Sequence, residues 1–120
     1  MTTEYDPLDL VGQARAEADK AEEERLSKGM ERSDLCVVMG SKEGRRFMWR
    51  LLGLSGVYRS SFNENAAITA FNEGARNIGL ILTDQIMDAC QHRYTDMLRE
   101  HKEARERHEQ RNADRRNTDR

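Results

Sequence analysis

The densest concentration of chemically active side chains lies in one stretch, residues 44–62, which reads GRRFMWRLLGLSGVYRSSF. On a helix, Arg46 and Arg50 are four residues apart and therefore share a face. A guanidinium group binds carboxylates or phosphates through paired N–H donors. The stretch thus predicts a cationic and aromatic partner-binding surface, whose candidate residues are Arg45, Arg46, Trp49, Arg50, Tyr58, Arg59 and Phe62.

The same arginines allow two other interpretations. They can pair inside the fold with Glu43, Glu73 or Asp84, with Trp49 in the core or an interface. They can also bind nucleic-acid phosphates, and the candidates for that role are Arg45, Arg46, Arg50, Arg59 and Arg76. The formal net charge is −2, whereas a general nucleic-acid binder is normally much more basic. Between the two kinds of partner, protein is therefore favoured over nucleic acid.

No catalytic residue, metal site or cofactor is predicted. His92, His101 and His108 are at least seven residues apart on one predicted helix, about 10 Å along its axis, which is too far to share a metal ion. Cys90 and His92 are two residues apart and do not face each other, which argues against a thiol nucleophile with a neighbouring base. The sequence also lacks the usual zinc, phosphate-loop and hydrolase motifs. We therefore expect a protein that is not an enzyme.

The apolar residues are concentrated in the middle of the 120-residue chain. Residues 33–98 hold 31 of the 44 apolar residues, and residues 99–120 hold only two. This distribution predicts a charged N-terminal helical arm at 1–32, a helical core at 33–98, and a charged C-terminal helix extension and tail at 99–120. A core of this size is marginal by itself, so we expect cover from other subunits, as in a homo-oligomer or a ring-associated protein.

The spacing of apolar residues predicts an all-α fold with short helices packed on one long C-terminal helix. Asp6 and Pro7 are expected to open the first helix and Gly29 to end it. A short helix is expected at 34–39, and Ser41 is expected to cap another from Lys42 to about residue 52. Residues 57–65 are typical of an ordered loop. The arm carries a narrow apolar stripe of Leu8, Val11, Ala14, Ala18 and Ala21.

The long helix is expected to begin near Ala66 and run for some 45 residues, with fraying from about Asn112. Because a glycine inside a helix costs about 1 kcal/mol relative to alanine, Gly74 and Gly79 indicate a close approach of the preceding helix, with a hinge as the alternative. The residues predicted to pack these helices together are Gly74, Gly79, Phe47, Leu51, Leu54, Phe71, Ile78 and Leu82.

The remaining features concern the cellular compartment. Cys36 and Cys90 lie in apolar runs, which favours buried thiols in a reducing compartment over a disulfide framework. No stretch reaches the roughly 18 apolar residues of a membrane span, and the N-terminus does not have the pattern of a secretory leader. We expect a protein made in the cytoplasm that does not bind membranes.

Two blocks of the sequence, the stretch 44–62 and FNEGARNIGL at 71–80, resemble a family of small tailed-phage proteins of podovirus type, named after a Bordetella phage gene product. The resemblance covers about residues 34–87. It implies a non-enzymatic virion or morphogenesis protein, made in the bacterial host. Together with the small core and the long polar helices, it favours a place in the head interior or at the portal vertex between head and tail. The partners would be the portal or neighbouring virion proteins. A DNA-packaging or DNA-binding accessory and an assembly scaffold or chaperone that leaves the mature particle are the alternatives.

Overall fold

A computed structural model describes residues 6–119 and shows three helices, with no strand in that range: α1 (Leu10–Met39), α2 (Lys42–Ser55) and α3 (Ala66–Thr118). The all-α prediction with a long C-terminal helix is confirmed. The chain extends over 85 × 39 × 24 Å. Residues 1–5 of the predicted arm and residue 120 of the predicted tail lie outside the described range. The predicted boundaries at 32/33 and 98/99 fall inside α1 and α3.

Helix α1 begins later and ends later than the sequence predicts. Asp9 is its cap and accepts a hydrogen bond from the backbone N–H of Gly12, while Asp6 accepts one from Leu8 in the preceding turn. The predicted stop at Gly29 is wrong, because the helix continues through it to Met39 and absorbs the short helix predicted at 34–39. Good helix formers on both sides outweigh the cost of about 1 kcal/mol for one glycine. Gly40 ends α1.

Helix α2 has the cap that the sequence predicts. The Ser41 hydroxyl accepts a hydrogen bond from the backbone N–H of Gly44. Gly56 ends the helix with φ of +78°, a left-handed conformation that glycine adopts without a steric penalty. A loop at 57–65 then leads into α3 and is held by side chains, since the Thr69 hydroxyl both donates to and accepts from the backbone of Asn63.

Helix α3 spans 53 residues, from the cap Asn65 to Thr118. It is longer than predicted, and the expected fraying from Asn112 is not found within the described range. The helix is interrupted once, at Cys90, where φ is −157° and ψ is 60°. Two helical segments therefore meet at the centre of the fold.

The core lies where the three helices meet, around this interruption. Its buried residues are Met39, Met48, Leu52, Ile86, Cys90 and Met97. Cys90 is buried as predicted, and the half-buried Cys36 places its sulfur 3.7 Å from the carbonyl oxygen of Ala89. The core uses only the last turns of α1 and the middle of α3. Consequently residues 14–34 and 102–111 are exposed throughout and project from the body.

Candidate protein-binding surface

Helix α2 carries apolar side chains on two different faces, and only one of them is covered. Met48 and Leu52 point into the core and are 5% and 0% exposed. Phe47, Leu51 and Leu54 lie on another face and are 54%, 36% and 80% exposed. We call Phe47, Arg50, Leu51 and Leu54 the α2 outer face. It is part of the stretch that the sequence singles out for partner binding.

Arg45 belongs to the covered side of α2 and not to this surface. Its side chain is 10% exposed and forms an ion pair of 2.6 Å with Glu100 on α3, while Nη1 donates to the carbonyl oxygen of Met39 at 2.9 Å. The hydrogen bonds from Arg45 lower the pKa of Glu100 below its ordinary value. The predicted partner or nucleic-acid contact of Arg45 is therefore corrected. The guanidinium pairs internally, with a carboxylate other than the three proposed from the sequence.

Trp49 also acts within the fold. Its ring stacks on Tyr58 with centroids 5.1 Å apart and on His101 with centroids 4.1 Å apart. The Tyr58 hydroxyl is 3.0 Å from that of Tyr94, so the loop after α2 is tied to α3 by the same cluster. The stacking gives Trp49 and Tyr58 a structural role inside the chain that the sequence-based assignment to a partner surface does not include. Both rings hold α2, the loop and α3 together, although Tyr58 is still 46% exposed.

The other predicted contact residues are exposed. The Arg50 guanidinium lies over the Phe47 ring, 5.8 Å from its centroid. Arg59 is exposed and donates to the carbonyl oxygen of Gly53 at 3.3 Å, which places its charge beside the end of α2. Arg46 is exposed, and Phe62 in the following loop is 76% exposed.

The apolar surface continues from α2 onto the first half of α3. Leu54 and Phe71 line one depression of about 170 Å³, together with Arg59 and Ala75. Phe71 is 77% exposed and Ile78, seven residues further along the helix, is 57% exposed. Exposed apolar groups on two helices, with arginines beside them, have the composition of a protein interface: an apolar centre and a polar rim.

Two of the eight residues predicted to pack the helices together do so within this chain. Leu82 packs against the core, and Gly79 is buried against the end of α2. A methyl group added at Gly79 would meet Ser55 Cβ at 2.9 Å and Val57 Cβ at 3.1 Å. The close approach that the sequence predicts is therefore found at this glycine.

The other six residues predicted to pack the helices do not, because α2 turns its Met48 and Leu52 side towards α3. Phe47, Leu54, Phe71 and Ile78 are all more than half exposed, Leu51 is 36% exposed and outside the core cluster, and nothing lies within 4 Å of a methyl group added at Gly74. Their predicted packing role inside the chain is corrected, and the exposed apolar side chains among them remain available to a partner.

A second concave site has Trp49 in its lining. It is a cleft of about 220 Å³ between α2 and the second half of α3, lined by Lys42, Arg45, Arg46, Trp49, Met97, Glu100, His101, Ala104 and Arg107. Arg45 and Glu100 neutralise each other, which leaves Lys42, Arg46 and Arg107 as the positive charges around an apolar floor. Arg50 and Arg59 do not line this cleft, and neither does Arg76, which is half-buried on α3.

Sequence reasoning missed Glu100 and did not assign roles to Tyr94 and His101. Met97 is buried, and Glu100 follows it by three residues, so both side chains lie on the side of α3 that contacts α2. Tyr94, Met97 and His101 have the spacing of one helix face. This periodicity was visible in the sequence, but the dense charge after residue 98 hides the fact that one carboxylate there faces inward.

Among residues 6–119, no helix has the length and apolar content needed to cross a membrane. A family described as Bbp19-like phage protein matches residues 35–99, which is more than half of the chain. No curated protein and no solved structure matches it. The matched segment begins near the end of α1 and includes all of α2, the loop and the α3 residues that form the core.

Proposed function

The chain belongs to the Bbp19-like phage protein family, and from this premise we propose that it is a non-enzymatic structural or morphogenesis protein of a tailed-phage particle. Its activity is to bind other particle proteins through helix surfaces. The binding surface is the α2 outer face together with the adjoining exposed residues of α3, Phe71 and Ile78.

The observation that carries this proposal is the exposure of large apolar side chains within the family-matched segment. Phe47, Leu54 and Phe71 each leave more than half of their surface in water. Single exposed apolar residues are ordinary on a soluble protein, but a group spread over two adjoining helices marks an interaction site. The positive rim of Arg50 and Arg59 suits a partner that presents carboxylates.

The test is incorporation of variants into particles by complementation of a phage that lacks this gene. Leu54→Glu and Phe71→Glu each place a charge in the surface without touching the core, so both proteins should stay helical by circular dichroism. We expect their amount in purified particles, measured by mass spectrometry, to fall by about tenfold or more, because a buried unpaired carboxylate strongly weakens an interface.

The matched control is Met87→Glu, which changes an exposed apolar residue on another part of α3. Its incorporation should equal that of the wild type. Unchanged incorporation of both Leu54→Glu and Phe71→Glu would contradict the proposed surface. Wild-type protein that is present in assembly intermediates and absent from finished particles would identify a scaffold or chaperone instead of a structural component.

For the position in the particle, we propose the portal vertex or the head interior of a podovirus-type virion. The support is the elongated shape, because a chain of 85 Å with long exposed helices suits a component that contacts several neighbours in a symmetric assembly. Electron cryomicroscopy of particles carrying a C-terminal tag would show whether the tag density lies at the vertex or inside the head. Tag density on the outer capsid surface would contradict both positions.

Binding of nucleic acid is a second candidate function, favoured by the cleft with Lys42, Arg46 and Arg107. Its test is the salt dependence of binding to duplex DNA, because contacts to several phosphates weaken steeply as salt rises. A variant with Lys42→Ala and Arg107→Ala should then bind more weakly and reduce the salt slope by about two. Absence of binding at low salt would exclude this candidate.

A further inference from the structure

Helix α1 has an exposed apolar seam on the side that faces away from the core. Leu26, Met30 and Val37 are 54%, 67% and 74% exposed. They lie four and seven residues apart, which places them on one face of a helix that turns 100° per residue. The core-facing residues Leu35 and Met39 are on the opposite face. We call Leu26, Met30 and Val37 the α1 outer seam.

The side chains around this seam are acidic. Asp19, Glu23 and Asp34 fall on the same half of the helix and are exposed. Within the described part of the chain, none of the three forms an ion pair. The seam is therefore an apolar strip bordered by free carboxylates.

The α2 outer face has the opposite charge and a similar spacing. Phe47, Leu51 and Leu54 lie four and three residues apart, so Phe47 and Leu54 are separated by the same seven residues as Met30 and Val37. Arg46 and Arg50 border them, and within residues 6–119 neither arginine is in an ion pair. The chain thus presents two apolar strips that share a seven-residue spacing and have complementary charge.

These two strips cannot meet within one molecule. The end of α1 packs against α3 through Leu35 and Met39, and Arg32 is fixed by a 2.6 Å ion pair to Asp88 on α3. The α1 outer seam is on the far side of the same helix, so α1 would have to rotate about its axis to turn it inward, and that would expose Met39. Contact between the strips therefore requires a second copy.

We propose that the α1 outer seam of one copy binds the α2 outer face of another. The proposal rests on the proposed function, because it names the partner of that surface. Two different surfaces meet, so each bound copy still offers one free strip of each kind. Such a head-to-tail contact generates a closed ring if the rotation between copies closes and a filament if it does not.

The test is a reciprocal charge reversal on the purified full-length protein, with mass measured by light scattering as a function of concentration. One variant combines Arg46→Glu and Arg50→Glu, and the other combines Glu23→Arg and Asp34→Arg. In each variant the two strips carry charge of the same sign. We expect the wild type to self-associate and each variant alone to associate at least about tenfold more weakly.

An equimolar mixture of the two variants should regain the association of the wild type. In that mixture each negative strip of one variant meets a positive strip of the other. Circular dichroism of each variant checks that the helices are intact. A helix-surface control, Glu103→Arg with Glu106→Arg on the projecting part of α3, should associate like the wild type.

The other outcomes separate this inference from the proposed function. A wild-type protein that stays monomeric at all concentrations overturns the inference, as does a mixture that fails to regain association. If the wild type is monomeric but Arg46→Glu with Arg50→Glu still abolishes particle incorporation, the surface binds a different particle protein and the proposed function stands. If the charge-reversed variants self-associate and enter particles like the wild type, both this inference and the proposed function fail.

Discussion

The two apolar faces of α2 differ in what covers them, although they are built from the same kinds of residue in one 14-residue helix. Met48 and Leu52 are buried by α1 and α3, whereas Phe47 and Leu54 are in contact with water. The covered face also includes the paired charge of Arg45. Apolar character thus does not distinguish core from surface in this helix. The difference is whether another helix of the chain covers the residue.

The largest effect should come from shortening a leucine on the covered face. Leu52 is 0% exposed, and Leu52→Ala should lower the free energy of unfolding by about 3 kcal/mol, through lost burial and the cavity left behind. Leu54→Ala, two positions away and 80% exposed, should change it by less than about 0.5 kcal/mol. Urea denaturation followed by circular dichroism measures both. Equal losses of unfolding free energy in Leu52→Ala and Leu54→Ala would show that both faces of α2 are covered to the same extent.

The next effect concerns the ion pair under α2. Glu100→Gln leaves the Arg45 guanidinium nearly buried with a weaker partner and should cost about 2 kcal/mol. The matched control is Glu103→Gln, which removes a carboxylate from an exposed pair with Arg99 and should cost less than about 0.5 kcal/mol. Denaturation at neutral pH gives both values. A Glu100→Gln variant as stable as the control would mean that the pair is open in solution.

The ion pair between Arg45 and Glu100 also makes the stability of the fold depend on pH. Because Arg45 lowers the pKa of Glu100 in the folded state, the unfolded chain binds a proton more readily than the folded one. The contribution of the pair is therefore complete above the ordinary pKa of a glutamate, about 4.3, and is lost as pH falls through the lower folded value. Unfolding measured from pH 7 to pH 3 should show a smaller acid-induced loss in Glu100→Gln than in the wild type.

A smaller effect, of opposite sign at two sites, should come from the glycines of α3. Gly74→Ala adds a methyl group where nothing lies within 4 Å, and the gain in helix propensity should stabilise the protein by up to about 1 kcal/mol. Gly79→Ala places that methyl group against Ser55 and Val57, and we expect a net loss of about 1 kcal/mol. Thermal denaturation of the two variants compares them directly. Stabilisation by both alanines would contradict the close approach at Gly79.

The smallest effect should come from the hydrogen bond between Tyr58 and Tyr94. Tyr58→Phe removes it and should cost about 0.5–1 kcal/mol at neutral pH. Burial raises the pKa of Tyr58, so the folded state keeps its proton when the unfolded state begins to lose it. Wild-type stability should therefore fall above about pH 10, and Tyr58→Phe should lose less over the same interval. Fluorescence of Trp49, stacked on Tyr58, reports the unfolding transition.

Local signals in the sequence correctly predicted the Ser41 cap, the loop and the presence of the long helix, whereas the cap of α1 is Asp9 and not Asp6. The Ser41 cap depends only on residues close to it in the chain, and the apolar period of α3 is sustained over many turns. The end of α1 was misplaced because a single glycine is a weak stop when helix formers follow it. The core side of α2 was also misplaced, since its apolar residues span more than one face and the sequence does not show which face α3 covers.

The sequence predicted which segment of the chain contains the candidate site, but not which of its side chains are exposed. The stretch 44–62 does contain the exposed arginines and Phe47, yet Arg45 and Trp49 are used internally. Their partners, Glu100 and His101, lie more than 50 residues further along the chain in a region of dense charge. A tertiary contact of that kind has no local signature, because dozens of carboxylates and arginines could be paired on sequence grounds alone.

The elongated shape has a consequence for how the molecule migrates in solution. A compact protein of 120 residues has a radius of gyration of about 14 Å, whereas this chain has 22.8 Å. A single molecule therefore experiences more friction than its mass implies and leaves a calibrated sizing column early, at the volume of a globular protein that is considerably heavier. Elution volume alone would assign extra subunits to a lone chain, so stoichiometry has to come from scattered light or sedimentation equilibrium.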